Sequence, residues 1–124
     1  MSAKILIADD EPNILLSLEF LMKREGFEVL TARDGQEAVE AAQAHLPDLI
    51  LLDVMMPRKN GFDVCQELRA RDEFKSTRIL MLTAKGRELD VTKGMALGAD
   101  AYMTKPFGTR ELVETVRRLL EARP

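Results

Sequence analysis

The chain has a single cysteine, a single histidine, a single tyrosine and no tryptophan, and aromatic residues make up only 5% of its 124 positions. Cys65 has no partner for an internal disulfide, so a reducing compartment is the expectation and an oxidised scaffold is excluded. His45 alone cannot build a histidine metal cage or a proton relay. Excess positive charge is also missing: 18 Lys and Arg stand against 21 Asp and Glu, for a net charge of -3, so bulk charge does not attract nucleic acid. No apolar run approaches the roughly 20 residues that span a bilayer, and no basic-then-apolar leader precedes Lys4. These absences lead to an expectation of a cytoplasmic domain that binds neither membrane nor DNA directly. Hydrophobic residues at 46% and charged ones at 31% suit one globular domain over residues 1–124, with a core from about 4 to 120.

Short apolar runs alternate with amphipathic stretches five times, the pattern of repeated βα units around a parallel sheet. The strands are expected at Lys4 to Ala8, Phe27 to Ala32, Asp48 to Leu52, Arg78 to Leu82 and Ala101 to Met103. Leu49-Ile50-Leu51-Leu52 and Ile79-Leu80-Met81-Leu82 are unbroken apolar runs, as central strands covered on both faces require. Pro12 opens helix 1, which Gly26 ends; Asp34 and Glu37 suit the start of helix 2, which stops before Pro47. Helix 3 follows Gly61. Helix 4 lies between Gly86 and Gly98, with Leu89, Met95 and Ala96 expected inward and Gly94 a weak point. Thr109 is the expected N-cap of helix 5, whose stripe is Leu112, Val113, Val116, Leu119 and Leu120.

The polar residues at the strand ends carry the chemistry. In a parallel α/β sheet the C-terminal strand ends share one edge, so Asp9, Asp10, Asp53, Thr83 and Lys105 are expected to meet in one crevice. Like charges ~4 Å apart repel by about 4 kcal/mol at an effective dielectric near 20, so clustered carboxylates need an offsetting cation. Three acids suit a hard divalent ion such as Mg²⁺, with Mn²⁺ as the alternative. Thr83 adds a hydroxyl and Lys105 a compact cation, both suited to phosphate oxygens. Taken singly, each of these residues also serves as a helix cap, a turn residue or a solvated surface group. The bond joining Lys105 to Pro106 has access to the cis isomer, which would aim the lysine into the crevice.

Taken jointly, the motifs resemble those of the receiver domains of two-component response regulators, the CheY-like family. The resemblance rests on Asp9-Asp10, on Asp53-Val54-Met55-Met56-Pro57 leading through Asn60 to Gly61, on Thr83-Ala84, and on Gly98-Ala99-Asp100-Ala101-Tyr102 running into Lys105-Pro106-Phe107. It implies a doubly wound (βα)5 three-layer sandwich of the flavodoxin-like kind, with its parallel strands in the order 2-1-3-4-5. It further implies that Asp53 is the phosphoacceptor, and that Asp10, Asp53 and the backbone carbonyl of Met55 bind Mg²⁺ while Asp9 acts through water. Thr83 and Lys105 would contact the phosphoryl oxygens, and Tyr102 would be the switch residue. The positions that tune phosphate lifetime in the family are Met55 and Lys85 here.

The implied phosphoryl donor is a sensor histidine kinase or a histidine phosphotransfer protein, and the implied output is a downstream protein or an attached effector domain. A receiver of this kind catalyses only its own phosphorylation and dephosphorylation. No output domain follows helix 5 in this sequence. Val91, Ala101 and Thr115 stand where winged-helix regulators pair charges between receivers, so a stand-alone or differently linked receiver is the expectation. Two other activities fit the architecture. A flavodoxin-like electron carrier needs a Ser/Thr/Gly-rich phosphate loop after strand 1, where this chain has Asp-Asp-Glu-Pro. A metal phosphatase using an aspartyl phosphate wants a second acid two residues after the nucleophile, and Met55 occupies that place.

Overall fold

The computed structural model describes residues 2–84 and 86–121. Five parallel strands, β1 (Lys4–Ala8), β2 (Glu28–Ala32), β3 (Leu49–Asp53), β4 (Arg78–Ala84) and β5 (Ala101–Lys105), form one sheet in the order β2-β1-β3-β4-β5. Five helices connect or follow them: α1 (Pro12–Arg24), α2 (Gly35–His45), α3 (Gly61–Arg69), α4 (Glu88–Ala96) and α5 (Thr109–Glu121). A 3-10 turn at Asp72–Phe74 precedes β4. This is the doubly wound, three-layer arrangement the alternating pattern predicts. No helix among the described residues is long and apolar enough to cross a membrane.

Successive side chains on a strand face opposite sides, and the two core layers follow that period of two. Ile5 and Ile7 of β1, Leu49 and Leu51 of β3, and Leu80 and Leu82 of β4 pack under α1 and α5 with Leu18, Met22, Leu112 and Val116. Leu6 and Ala8, Ile50 and Leu52, and Ile79 and Met81 pack on the other face with Ala38, Val39, Val64 and Leu68 from α2 and α3. The central strands β1 and β3 are covered on both sides, which is why they read as unbroken apolar runs.

Local signals place most helix starts. Pro12 occupies the first turn of α1, where its missing N–H costs nothing. Asp34 accepts from the Glu37 N–H at 2.8 Å and caps α2. Asn60 and Asp63 form a reciprocal capping box at α3. Thr109 is the first residue of α5 rather than its cap, and the carbonyl of Gly108 accepts the first helical bond, from Leu112. β4 and β5 run two residues beyond their expected ends, so Thr83 and Lys105 lie within the strands.

Helix α4 departs from expectation. Leu89, Met95 and Ala96 face solvent, and the buried residues are Asp90 and Gly94. Gly94 lies against Met81, where an added Cβ would sit 2.5 Å from the sulfur, so the glycine permits close helix-to-sheet approach. Asp90 is neutralised by Arg87, whose Nε and Nη2 reach its carboxylate at 2.8 and 3.2 Å. His45 closes α2 at the surface, as expected. Cys65 is fully buried, and that burial pushes its thiol pKa up, the behaviour of a packing residue rather than a reactive one.

Candidate functional site

The strand order reverses direction between β1 and β3, and the crevice outside their C-terminal ends is where the acids collect. Period-two alternation then decides which residues share a side. Asp9 continues the series Ile5, Ile7; Asp53 continues Leu49, Leu51; Lys105 continues Ala101, Met103. All three therefore emerge on the α1/α5 face. Thr83 continues Ile79 and Met81 onto the opposite face, where Tyr102 and Thr104 also point. The expected five-residue site is thus two adjoining groups, one on each side of the sheet edge.

The first group is compact. Asp9, Asp10 and Asp53 each offer a carboxylate oxygen within 4.8 Å of the others. Asp9 is fully buried, Asp53 is 5% exposed, and Asp10 lies open at the rim. Lys105 Nζ donates to Asp9 Oδ2 at 3.0 Å and lies 3.5 Å from Asp53 Oδ1. The Lys105–Pro106 bond is cis. Backbone groups fix the acids: Glu11 N–H donates to Asp9 at 2.9 Å and Met55 N–H to Asp53 at 3.4 Å. Glu11 adds a fourth carboxylate, 3.9 Å from the ammonium, a member that sequence reading passed over although it directly follows the Asp9-Asp10 pair.

The electrostatics show a pocket short of positive charge. Burial, with the neighbouring Asp9 charge, lifts the Asp53 pKa from 3.8 to about 6, and the Lys105 ammonium and Met55 N–H only partly counter it. Burial pulls the Lys105 pKa down, but its bond to Asp9 and the charges of Asp53, Asp9 and Glu11 outweigh that and raise it. One ammonium does not balance three converging carboxylates. Their hard oxygen donors, close-set and under-neutralised, fit a divalent cation of the Mg²⁺ type. Asp9, Asp10 and Asp53 are the side chains able to hold it.

The second group lies where β4 and β5 run side by side. Thr83, 2% exposed, follows Leu82, the register partner of Asp53, and its hydroxyl donates to the Met103 carbonyl at 3.4 Å. Tyr102 is 48% exposed. Between them lies a cavity of about 320 Å³ walled by Thr83, Gly86, Arg87, Val91, Thr92 and Tyr102. Met55 is 61% exposed beside the crevice. Lys85 lies outside the described residues.

The sequence matches the response regulator receiver domain family over residues 5–117. It is 48% identical over 120 residues to the alkaline phosphatase synthesis transcriptional regulatory protein PhoP of Bacillus subtilis (strain 168), covering 97% of this chain and 49% of that protein. The chain therefore spans about half the length of that curated relative. Among solved structures, the chemotaxis response regulator CheY4 of Vibrio cholerae superposes with a TM-score of 0.91 at 36% identity, covering 96% of this chain and 99% of that one. The receiver domain of the sensor histidine kinase PA1611 from Pseudomonas aeruginosa PAO1, solved with a magnesium ion coordinated in its active site cleft, superposes with a TM-score of 0.90 at 28% identity. That match covers 98% of this chain and all of the other, 100%.

Proposed function

Since the chain belongs to the response regulator receiver domain family, which is phosphorylated on an aspartate in two-component signalling, we propose that Asp53 is its phosphoacceptor. The observation that carries this is the 3.5 Å approach of Lys105 to a nearly buried Asp53 already within 4.8 Å of two further carboxylates. An Asp53 oxygen attacks phosphorus of a phosphohistidine on a sensor kinase or phosphotransfer protein. The new O–P bond forms as the P–N bond breaks, and the departing imidazole nitrogen takes a proton from water. Asp10 and Asp53, with the Met55 carbonyl and Asp9 through water, would hold Mg²⁺ or Mn²⁺, which supplies charge neutralisation on the transferred oxygens. Lys105 turns from Asp9 toward those oxygens and stabilises the charge that builds there. Hydrolysis of the acyl phosphate in the same pocket returns the carboxylate, so the only turnover is of the domain's own phosphate.

Phosphorylation adds up to about two negative charges and three acceptor oxygens. Thr83 leaves the Met103 carbonyl to donate to them, and Tyr102 enters the cavity it shares with Thr83, altering the surface read by a downstream protein or a linked output domain. A swing from 1:99 to 99:1 needs about 5.5 kcal/mol, in the range of two charge-assisted bonds plus cation contacts. The phosphatase alternative loses support because the position two past Asp53 holds an exposed thioether, Met55, and no acid. Incubation with a small acyl phosphate and Mg²⁺ should add one phosphoryl mass to the intact protein and none to Asp53→Asn. No adduct, or an adduct that survives the substitution, overturns the assignment.

A further inference from the structure

We propose that the Asp34–Gly35 corner, where β2 passes into α2, is a positioning element for the Asp53 chemistry: it seats the 54–60 loop against the sheet edge. The inference rests on the reading of Asp53 as phosphoacceptor and deepens it.

The loop carries the Met55 N–H that holds Asp53 Oδ1, so its placement sets the aim of the nucleophile. Its two ends are anchored by the sheet and α3. Val54 N–H donates to the Leu82 carbonyl at 3.1 Å, and Gly61 N–H to the Val54 carbonyl at 2.9 Å. An added Cβ on Gly61 would sit 2.5 Å from the Asp53 carbonyl oxygen, so α3 starts in direct contact with the strand end. The middle of the loop is held by α2 through its backbone and by α3 through the Lys59 side chain, whose ammonium donates to Glu67 at 2.5 Å. Met56 is buried in the same cluster as Ala38 and Val39. Gly35 N–H donates to the Pro57 carbonyl at 3.4 Å. A Cβ on Gly35 would lie 2.5 Å from Lys59 Cβ, 2.6 Å from its carbonyl carbon and closer still to its carbonyl oxygen. These atoms are mostly backbone and cannot swing aside, so any larger residue must push the loop outward.

The loop pays for this fit with Arg58, a non-glycine residue in the left-handed region at φ 68°. Its guanidinium Nε lies 3.4 Å from Asp34, whose carboxylate also caps α2. Arg58 is exposed, so its pairing with the half-buried Asp34 is screened by solvent and contributes little by itself. The Lys59–Glu67 bond ends on a flexible side chain, so the close backbone contact at Gly35 is the clamp that fixes the path of the loop's main chain, and it acts on chemistry that α2 never touches.

Gly35→Ala in the full chain is the test, with Met22→Ala, which loosens the core under the last turn of α1, at the end of that helix away from the acids, as the stability control. Gly35→Ala should shift the amide resonances of Met55 and Lys59 in the metal-free protein. It should also weaken Mg²⁺ binding about tenfold and slow acyl-phosphate labelling at saturating Mg²⁺ by a similar factor, the scale of displaced supporting groups. Met22→Ala should change none of the three. Equal losses in both variants, or wild-type Mg²⁺ affinity in Gly35→Ala, overturn the proposal. If Gly35→Ala does not fold, the unaltered protein decides, because linkage is reciprocal: Mg²⁺ saturation must slow hydrogen exchange at the Gly35 amide, and unchanged exchange overturns the clamp. A wild-type chain that takes no phosphoryl group refutes the Asp53 reading instead, whereas equal labelling of wild type and Gly35→Ala refutes the clamp alone.

Discussion

Lys105 and Asp9, 96 residues apart in the chain, meet at 3.0 Å with the Asp9 side chain wholly buried. A carboxylate withdrawn from water is tolerated only while a cation faces it. On the proposed mechanism the pair serves stability and chemistry at once, and the same ammonium leaves Asp9 when phosphoryl oxygens arrive.

Lys105→Met separates those roles. It strands Asp9 and removes the cation beside Asp53, so chemical denaturation in the presence of a chelator should show a loss of about 2 kcal/mol, below the full cost of breaking a buried pair because the crevice reaches solvent at the exposed Asp10. Acyl-phosphate labelling should fall on the order of 100-fold, as for removal of one donor to developing charge. Mg²⁺ affinity, read by titration, should rise, because a competing positive charge 3.5 Å from Asp53 is gone. A fall in Mg²⁺ affinity would contradict this account.

The raised Asp53 pKa sets that residue's contribution to the pH dependence of the metal-free domain. Unfolded, the group titrates near 3.8; folded, at about 6. Between these values the native state binds more protons than the unfolded one, so stability falls as pH rises. The contribution is intact below about pH 4 and lost above about pH 6, on the order of 2–3 kcal/mol for a shift of roughly two units. Urea midpoints taken with chelator from pH 4 to 7 should decline with pH relative to those of Asp53→Asn, which has no such group and is expected to be the more stable protein at pH 7. Saturating Mg²⁺ should remove the difference in slope.

The legible and illegible parts of this molecule differ in kind. β1, β3 and β4 show in the sequence because strands covered on both faces leave no room for polar residues, and the acids show because they interrupt those runs at one sheet edge. Helix α4 misleads because it buries almost nothing: its contact with the sheet is made by Gly94 on Met81, and its inward carboxylate is neutralised locally by Arg87. Apolar spacing therefore points to Leu89 and Met95, which face solvent. The Gly35 clamp leaves only a glycine as its trace, since its partner is the backbone of Lys59. The division of the site across the two faces of the sheet was in principle readable from strand parity, but only with ends fixed to the residue; β4 and β5 each continue two residues past where apolar content stops.

That division makes the last prediction specific. Tyr102 is the only tyrosine and the chain has no tryptophan, so its intrinsic fluorescence reports one ring. At 48% exposure the ring should be open to a neutral quencher in the resting state. On the proposed mechanism its route inward is the cavity walled by Thr83 and Tyr102 itself. On the proposed mechanism, acyl phosphate with Mg²⁺ draws the Thr83 hydroxyl off the Met103 carbonyl, frees that space, and lowers acrylamide quenching of Tyr102. Thr83→Ala removes the hydroxyl that senses the phosphate yet leaves Asp53, Lys105 and the acids on the other face intact. Labelling by mass should then persist, within about tenfold of wild type for loss of one neutral donor, while the change in quenching disappears. Labelling and quenching lost together would place Thr83 in the chemistry itself, and a quenching change retained in Thr83→Ala would show that Tyr102 moves without it.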